Sequence, residues 1–118
     1  MLEELVKSRE VYLFGGYTDM RKGIQGLTEI VFAQGLDLYS GSLFLFCGHS
    51  CKKMKIIVWD ENGFAMIVKR VDYNGRFHWP RGNQEIYHLT TQQANWLLEG
   101  LEIQQKNAIT PIKNAVLF

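Results

Sequence analysis

The stretch Ser40–Pro80, SGSLFLFCGHSCKKMKIIVWDENGFAMIVKRVDYNGRFHWP, decides the fold. Within it Ser42–Cys47, Met54–Trp59 and Phe64–Lys69 are short apolar runs rich in β-branched and aromatic residues, the pattern of strands. The second and third are separated by Asp60-Glu61-Asn62-Gly63. Asn62-Gly63 supplies the positive φ angles that a tight hairpin turn demands, so these two runs are read as an antiparallel pair. Asp72–Gly75 makes a similar turn before Arg76-Phe77-His78-Trp79, a short fourth strand that Pro80 closes.

The same stretch is basic. Between Cys47 and Arg81, Lys52, Lys53, Lys55, Lys69, Arg70, Arg76 and Arg81 are opposed only by Asp60, Glu61 and Asp72, although the 118-residue chain carries a formal charge of just +1. Charge segregated in this way suggests a polyanionic partner.

Upstream, Val11–Phe14 is an apolar strand ended by Gly15 and Gly16. A helix is expected over about Thr18–Gln34, capped by Thr18 or Asp19, with Met20, Ile24, Leu27 and Val31 on one apolar stripe. Gly23 and Gly26 lie inside that span, where each costs about 1 kcal/mol relative to alanine and hints at a close backbone approach. Gly35 ends the helix. Downstream, Thr90 and Gln93 form a capping box that opens a second helix over about Thr90–Gln104, with Ala94, Leu97, Leu98 and Leu101 recurring on one side. Ala115-Val116-Leu117-Phe118 is an apolar ending suited to a sheet edge.

These elements compose an α+β domain spanning residues 1–118. Its small antiparallel sheet, a meander around the Met54–Lys69 hairpin, packs against two helices. A composition of 47% hydrophobic and 21% charged residues excludes wholesale disorder. The acidic start MLEELVKSRE lacks the basic patch of a signal peptide, and no apolar run approaches the ~20 residues needed to span a bilayer, so a cytoplasmic protein off the membrane is expected. Cys47 and Cys51 do not make a disulfide framework. On one extended strand they would stand beyond bridging distance, and they are read as reduced thiols.

Several blocks carry a family resemblance. Tyr17-Thr18-Asp19-Met20-Arg21-Lys22-Gly23-Ile24-Gln25-Gly26-Leu27, Ser40–Phe46, Lys55–Asp60 with Gly63-Phe64 and Lys69-Arg70, Gly75–Pro80, Leu89-Thr90 and Trp96–Leu101 follow in the order seen in one family. Over about Val11–Leu101 the chain resembles the small accessory protein (TnpB, the second open reading frame product) of the sixty-six family of bacterial insertion sequences. The loop Cys47–Lys53 departs from that pattern, since arginine is more frequent there. The resemblance implies a role in transposition beside a separate, larger transposase that carries the acidic catalytic residues, and it assigns no catalytic residue to this chain.

Lysines and arginines gain affinity by displacing counterions from phosphates, and exposed Tyr73, Phe77, His78 or Trp79 would stack on bases, while alternation of Phe77 and Trp79 into the core is the stronger reading for those two. At Gly15–Lys22 a glycine turn meets a helix N-terminus beside Arg21 and Lys22, where free N–H groups would hold a phosphate. Cys47-Gly48-His49-Ser50-Cys51, with His78 or His88, invites a zinc reading, but two cysteines without a paired C-x-x-C favour structural roles. Asp60 and Glu61 are explained by turn chemistry. The expectation is a non-enzymatic protein without metal or cofactor. Its partners would be the DNA of transposon ends and the transposase of the same element, with Arg21, Lys22, Lys52, Lys53, Lys55, Lys69, Arg70, Arg76 and Arg81 touching the nucleic acid. The alternative is an adaptor that binds the transposase without contacting DNA.

Overall fold

Leu43–Cys47 is apolar at every position because this strand lies in the middle of a sheet covered on both faces, and all five of its residues are buried. The computed structural model describes residues 1–72, 74–81 and 85–105. In chain order the elements are α1 (Leu2–Ser8), β1 (Val11–Phe14), α2 (Ile24–Ala33), β2 (Leu43–Cys47), β3 (Lys53–Asp60), β4 (Gly63–Arg70), β5 (Ile86–Leu89) and α3 (Thr91–Leu98). Among the described residues the strands form one five-stranded sheet in the order β4-β3-β2-β1-β5.

The fold is α+β, as expected, but the sheet is mixed rather than a pure meander. β1 pairs with β2 in parallel, Val11 opposite Leu43, and the remaining neighbours are antiparallel. Parallel neighbours need a crossover, and α2 supplies it. The expected hairpin is present, with Asp60 opposite Gly63 and Lys53 opposite Arg70. Its turn differs in detail. Glu61, the first central residue, takes the positive φ of 56°, because a two-residue loop between Asp60 and Gly63 puts Glu61 and Asn62, not Asn62 and Gly63, at its corner.

Alternation along β3 and β4 divides the core in two. Met54, Ile56 and Val58, with Leu13, Leu45, Leu2, Val6, Ala94 and Leu97, fill the layer beneath α1 and α3. Ile57, Phe14, Phe44 and Phe46, with Leu27 and Val31, fill the layer beneath α2. Fully burying a leucine or phenylalanine stabilises by about 1.5–3 kcal/mol, so both layers are needed to hold a domain of this size.

The helices are shorter than the periodicity suggested. Residues 18–23 form a loop with a turn at Met20-Arg21, and α2 starts at Ile24 with Gly23 as its N-cap, while Asp19 hydrogen-bonds locally instead of capping the helix. Ile24 is 37% exposed and leaves the expected stripe, whereas Leu27 and Val31 keep to it. α3 opens with the predicted capping box, Gln93 N–H donating to Thr90 Oγ1 at 3.1 Å and Thr90 N–H to Gln93 Oε1 at 2.9 Å. It stops six residues early: Gly100, at φ +84°, lets Leu101 N–H reach Trp96 O (2.8 Å) and Gly100 N–H reach Leu97 O (3.0 Å), the paired bonds that close a helix. α1 and β5 have no counterpart in the sequence reading. Arg76–Trp79 is not a strand; Phe77 N–H donates to Cys51 O at 2.7 Å and Trp79 Nε1–H to Phe14 O at 2.8 Å, which fix both rings in the core as buried side chains. The apolar ending Ala115–Phe118 lies outside the described residues.

Candidate nucleic-acid interface

Strand direction fixes where the charges go. β1 and β2 end, β3 begins, β4 ends and β5 begins at the same end of the sheet, as their registers require. The segments that follow or precede those strand ends therefore meet there: residues 15–23, 48–52 and 71–81. Arg21, Lys22, Lys52, Lys53, Lys69, Arg70, Arg76 and Arg81 all belong to that end, against Asp19, Asp72 and Glu85 in the same segments and against Glu3, Glu99 and Glu102, which line the adjoining cavities with Lys69 and Arg70 and with Arg76 and Arg81. The opposite end holds Glu10, Asp37, Asp60 and Glu61 beside Arg9. Charge is thus polarised along the strand axis, though the chain is near neutral.

The expected cations do not form one patch within that end. Lys53 and Arg70 are cross-strand partners and project on the α2 side, the side on which Met20 lies. Like charges directly opposite one another disfavour pairing by about 0.2–1 kcal/mol, so this juxtaposition is not explained by stability. Arg21 and Lys22 stand on the same side, both exposed. Lys69, one position from Arg70, projects to the other face and lies near Met1 and Glu3. Arg76 and Arg81 border a cavity of about 510 Å³ with Phe77, Trp79, Tyr87 and Glu102. Tyr73 lies outside the described residues.

Lys55 corrects the sequence reading. It is 8% exposed, and its Nζ donates to Met20 O at 2.7 Å and Lys22 O at 2.9 Å. An ammonium held under a loop by two carbonyls positions that loop; it does not reach a phosphate. The glycine turn is corrected too. Gly15 N–H donates to Glu85 O, Gly16 N–H to Pro80 O and Thr18 N–H to Cys47 O, at 2.8–2.9 Å. Arg21 N–H and Lys22 N–H both go to Asp19. Those donors are engaged inside the protein, so an anion at this turn would be met by side chains. The glycines do not mark an approach to another element: a Cβ on Gly23 would meet nothing within 4 Å, and one on Gly26 would stand 3.2 Å from the side chain of Lys22, four residues back in the same segment.

Asp19 and Arg21 form a bidentate pair, Nε to Oδ1 at 3.0 Å and Nη2 to Oδ2 at 2.7 Å. Hydrogen bonds from the Arg21 guanidinium, and next from the Arg21 backbone N–H, hold the Asp19 carboxyl well below the usual carboxylate range. The Arg21 side chain is still 91% exposed and keeps donors turned to solvent.

The sequence reading missed a row of rings. The Arg81 guanidinium carbon lies 5.8 Å from the centroid of Tyr17, a cation–π distance, and Tyr17 packs on His49 with centroids 4.8 Å apart. The three residues come from the loop after β1, the loop after β2 and the segment before β5. All are exposed. The only signal was Tyr17 after Gly15-Gly16, an aromatic side chain where a strand stops.

Cys47 and Cys51 are buried, free thiols. Burial, and then the neighbouring Cys51, push the Cys47 thiol up to about 12. Such a thiol is protonated and unreactive at neutral pH. Among the described residues no group of three or more His, Cys, Asp or Glu side chains is arranged to hold a metal ion, and no helix is long and apolar enough to cross a membrane.

The family profile described as IS66 Orf2 like protein matches residues 9–108. The chain belongs to this family. The match takes in the whole of the five-stranded sheet, α2, α3 and every segment of the basic end. Two relatives come from Sinorhizobium fredii (strain NBRC 101917 / NGR234). The uncharacterized protein y4hO is 34% identical over 96 residues, covering 78% of this chain and 80% of its own length. The uncharacterized protein y4jC is 29% identical over 101 residues, covering 82% of this chain and 86% of its own. No solved structure matches the chain. As an IS66 Orf2-like protein, it is an accessory protein associated with insertion sequences.

Proposed function

We propose that this IS66 Orf2-like protein binds DNA without catalysing its cleavage, and that it acts beside the transposase at the ends of the element. Phosphates are met by Arg21, Lys22, Lys52, Lys53, Arg76 and Arg81, with Lys69 and Arg70 at the border. The observation that carries this reading is the convergence of cations from three separate segments on one end of the sheet, while the acidic turn Asp60–Glu61 is sent to the other. Counterion release makes such contacts strong at low salt and largely indifferent to sequence. The Arg81–Tyr17–His49 row adds faces on which an unpaired base stacks, worth about 1–3 kcal/mol per base.

The test is fluorescence anisotropy with labelled duplex and single-stranded oligonucleotides across a salt series. Affinity should fall linearly on logarithmic axes, and Lys53→Ala combined with Arg81→Ala should flatten the slope by about 2 for duplex DNA. Tyr17→Ala should weaken single-stranded DNA more than duplex. Binding that is absent at micromolar protein, or insensitive to salt, removes the proposal.

One observation favours the adaptor reading. At the acidic end Tyr39, 62% exposed, packs on Trp59 at 4.9 Å and on Phe64 at 5.6 Å, and Phe32 on α2 is 73% exposed. Exposed aromatic groups of this kind mark protein contacts. Co-purification with the transposase after nuclease treatment, lost in Tyr39→Ser/Phe32→Ser, supports it; retention in that variant counts against it.

A further inference from the structure

β4 is the end strand of the sheet, and among the described residues no strand pairs with its outer side. It is eight residues long, GFAMIVKR, and runs in unbroken register with β3, without proline, bulge or charge until Lys69. Natural edge strands are usually blunted by one of those devices, because a bare edge is a template for another strand. The direction of its free groups follows from one bond. Val71 N–H donates to Lys52 O at 2.8 Å, which makes that opposed pair a hydrogen-bonded one. In an antiparallel ladder such pairs alternate, so the N–H and C=O of Ala65, Ile67 and Lys69 face β3, and those of Phe64, Met66, Val68 and Arg70 face outward. The side chains of these outward positions are apolar until Arg70, and Val68 is 49% exposed.

The occupant is indicated by the charges at the two ends of the strand. β4 begins at the acidic Asp60–Glu61 turn and finishes at Lys69–Arg70. A second copy laid parallel would set cations on cations and carboxylates on carboxylates. Laid antiparallel about a two-fold axis, it sets Arg70 of each copy beside the Asp60–Glu61 turn of the other. We infer that two copies of this chain pair antiparallel along β4, centred on Met66, and join their sheets into one. In that register Met66 faces its own copy, Phe64 faces Val68, and the outward backbone groups of all three are satisfied across the axis. A two-fold perpendicular to the sheet also keeps α2 of both copies on the same side, so Phe64, Met66 and Val68 make one apolar strip covered from that side.

The experiment is sedimentation velocity on the full chain, freed of nucleic acid by nuclease treatment, over a micromolar concentration range. The unaltered protein should sediment as a dimer. Val68→Lys, at a half-exposed position the monomer tolerates, should raise the dissociation constant by about tenfold or more, with circular dichroism confirming the fold. Arg70→Glu and Glu61→Lys should each weaken the dimer, and together restore it, a rescue that loss of structure does not give. A monomer throughout the range, or a dimer indifferent to Val68→Lys, overturns the inference. A monomer that dimerises only when the chain is ended at Gln105 also overturns it, and assigns the edge to residues 106–118 of the same chain.

Discussion

Replacing Lys55 by methionine tests how the basic loop is held. The substitution keeps the length and apolar stem of the side chain and removes only the ammonium, which donates to Met20 O at 2.7 Å and Lys22 O at 2.9 Å. Hydrogen bonds from a charged donor contribute about 1.5–3 kcal/mol each, so two of them give about 3–6 kcal/mol before the cost of burying the charge is set against them. That cost amounts to several kcal/mol for an ion in the interior, and methionine does not incur it. Lys22 is exposed, so water can replace one of the two lost bonds. The net expectation is a loss of about 2 kcal/mol, concentrated on residues 18–23. Urea unfolding gives the total, and hydrogen exchange of the Met20–Gly23 amides gives its location. DNA affinity should fall as well, although Lys55 touches no phosphate, because Arg21 and Lys22 lose their fixed placement. If Lys55→Met is neutral or stabilising, and exchange in the loop is unchanged, the clamp does not exist and the buried ammonium is a surface lysine in a poor position.

Three further outcomes follow from the same geometry. Asp19→Asn removes a carboxylate from the basic end and frees the Arg21 guanidinium, so it should tighten binding to a duplex at low salt, an effect that disappears as salt rises; anisotropy titrations at two ionic strengths check this. Cys47 is protonated in the folded state to about 12, but ionises near 9 when unfolded, so the folded protein binds more protons between those values and stability must fall as pH rises through that window. Urea melts at pH 7.5 and pH 10 should show a loss of about 1 kcal/mol that is absent in Cys47→Ala. Thr90→Ala deletes the capping bond to Gln93 N–H and should cost about 1 kcal/mol, read as an earlier melt of the whole domain because α3 carries Ala94 and Leu97 into the core.

Local chemistry was legible where it acts over a few residues. The β3–β4 hairpin, the Thr90–Gln93 capping box and the all-apolar strand ending at Cys47 are each settled by neighbours in the chain and were legible there, although the hairpin's corner falls on Glu61-Asn62 rather than Asn62-Gly63. α1 and β5 were not legible. Leu2–Ser8 and Ile86–Leu89 are too short to show a period, and they hold their shapes only because α3, β1 and the core cover them. Among the candidate site residues, Lys55 was misread because a lysine inside an apolar strand looks the same whether its ammonium ends in solvent or beneath a loop 33 residues away in sequence. The Arg81–Tyr17–His49 row was not legible as a group, since its members are scattered along the chain and share no spacing, and Tyr17 after Gly15-Gly16 was its one local signal.

The sequence alone determined that this chain has the basic segment Cys47–Arg81, a central hairpin and the ordered blocks of an insertion-sequence family, because composition and short-range pattern are properties of the chain itself. Only the tertiary structure decided that the strand ends of β1, β2, β3, β4 and β5 meet, and so which cations share a neighbourhood, which one is buried, and which edge is left open. The reason is that electrostatic contact falls with distance through space, while the sequence records only distance along the backbone.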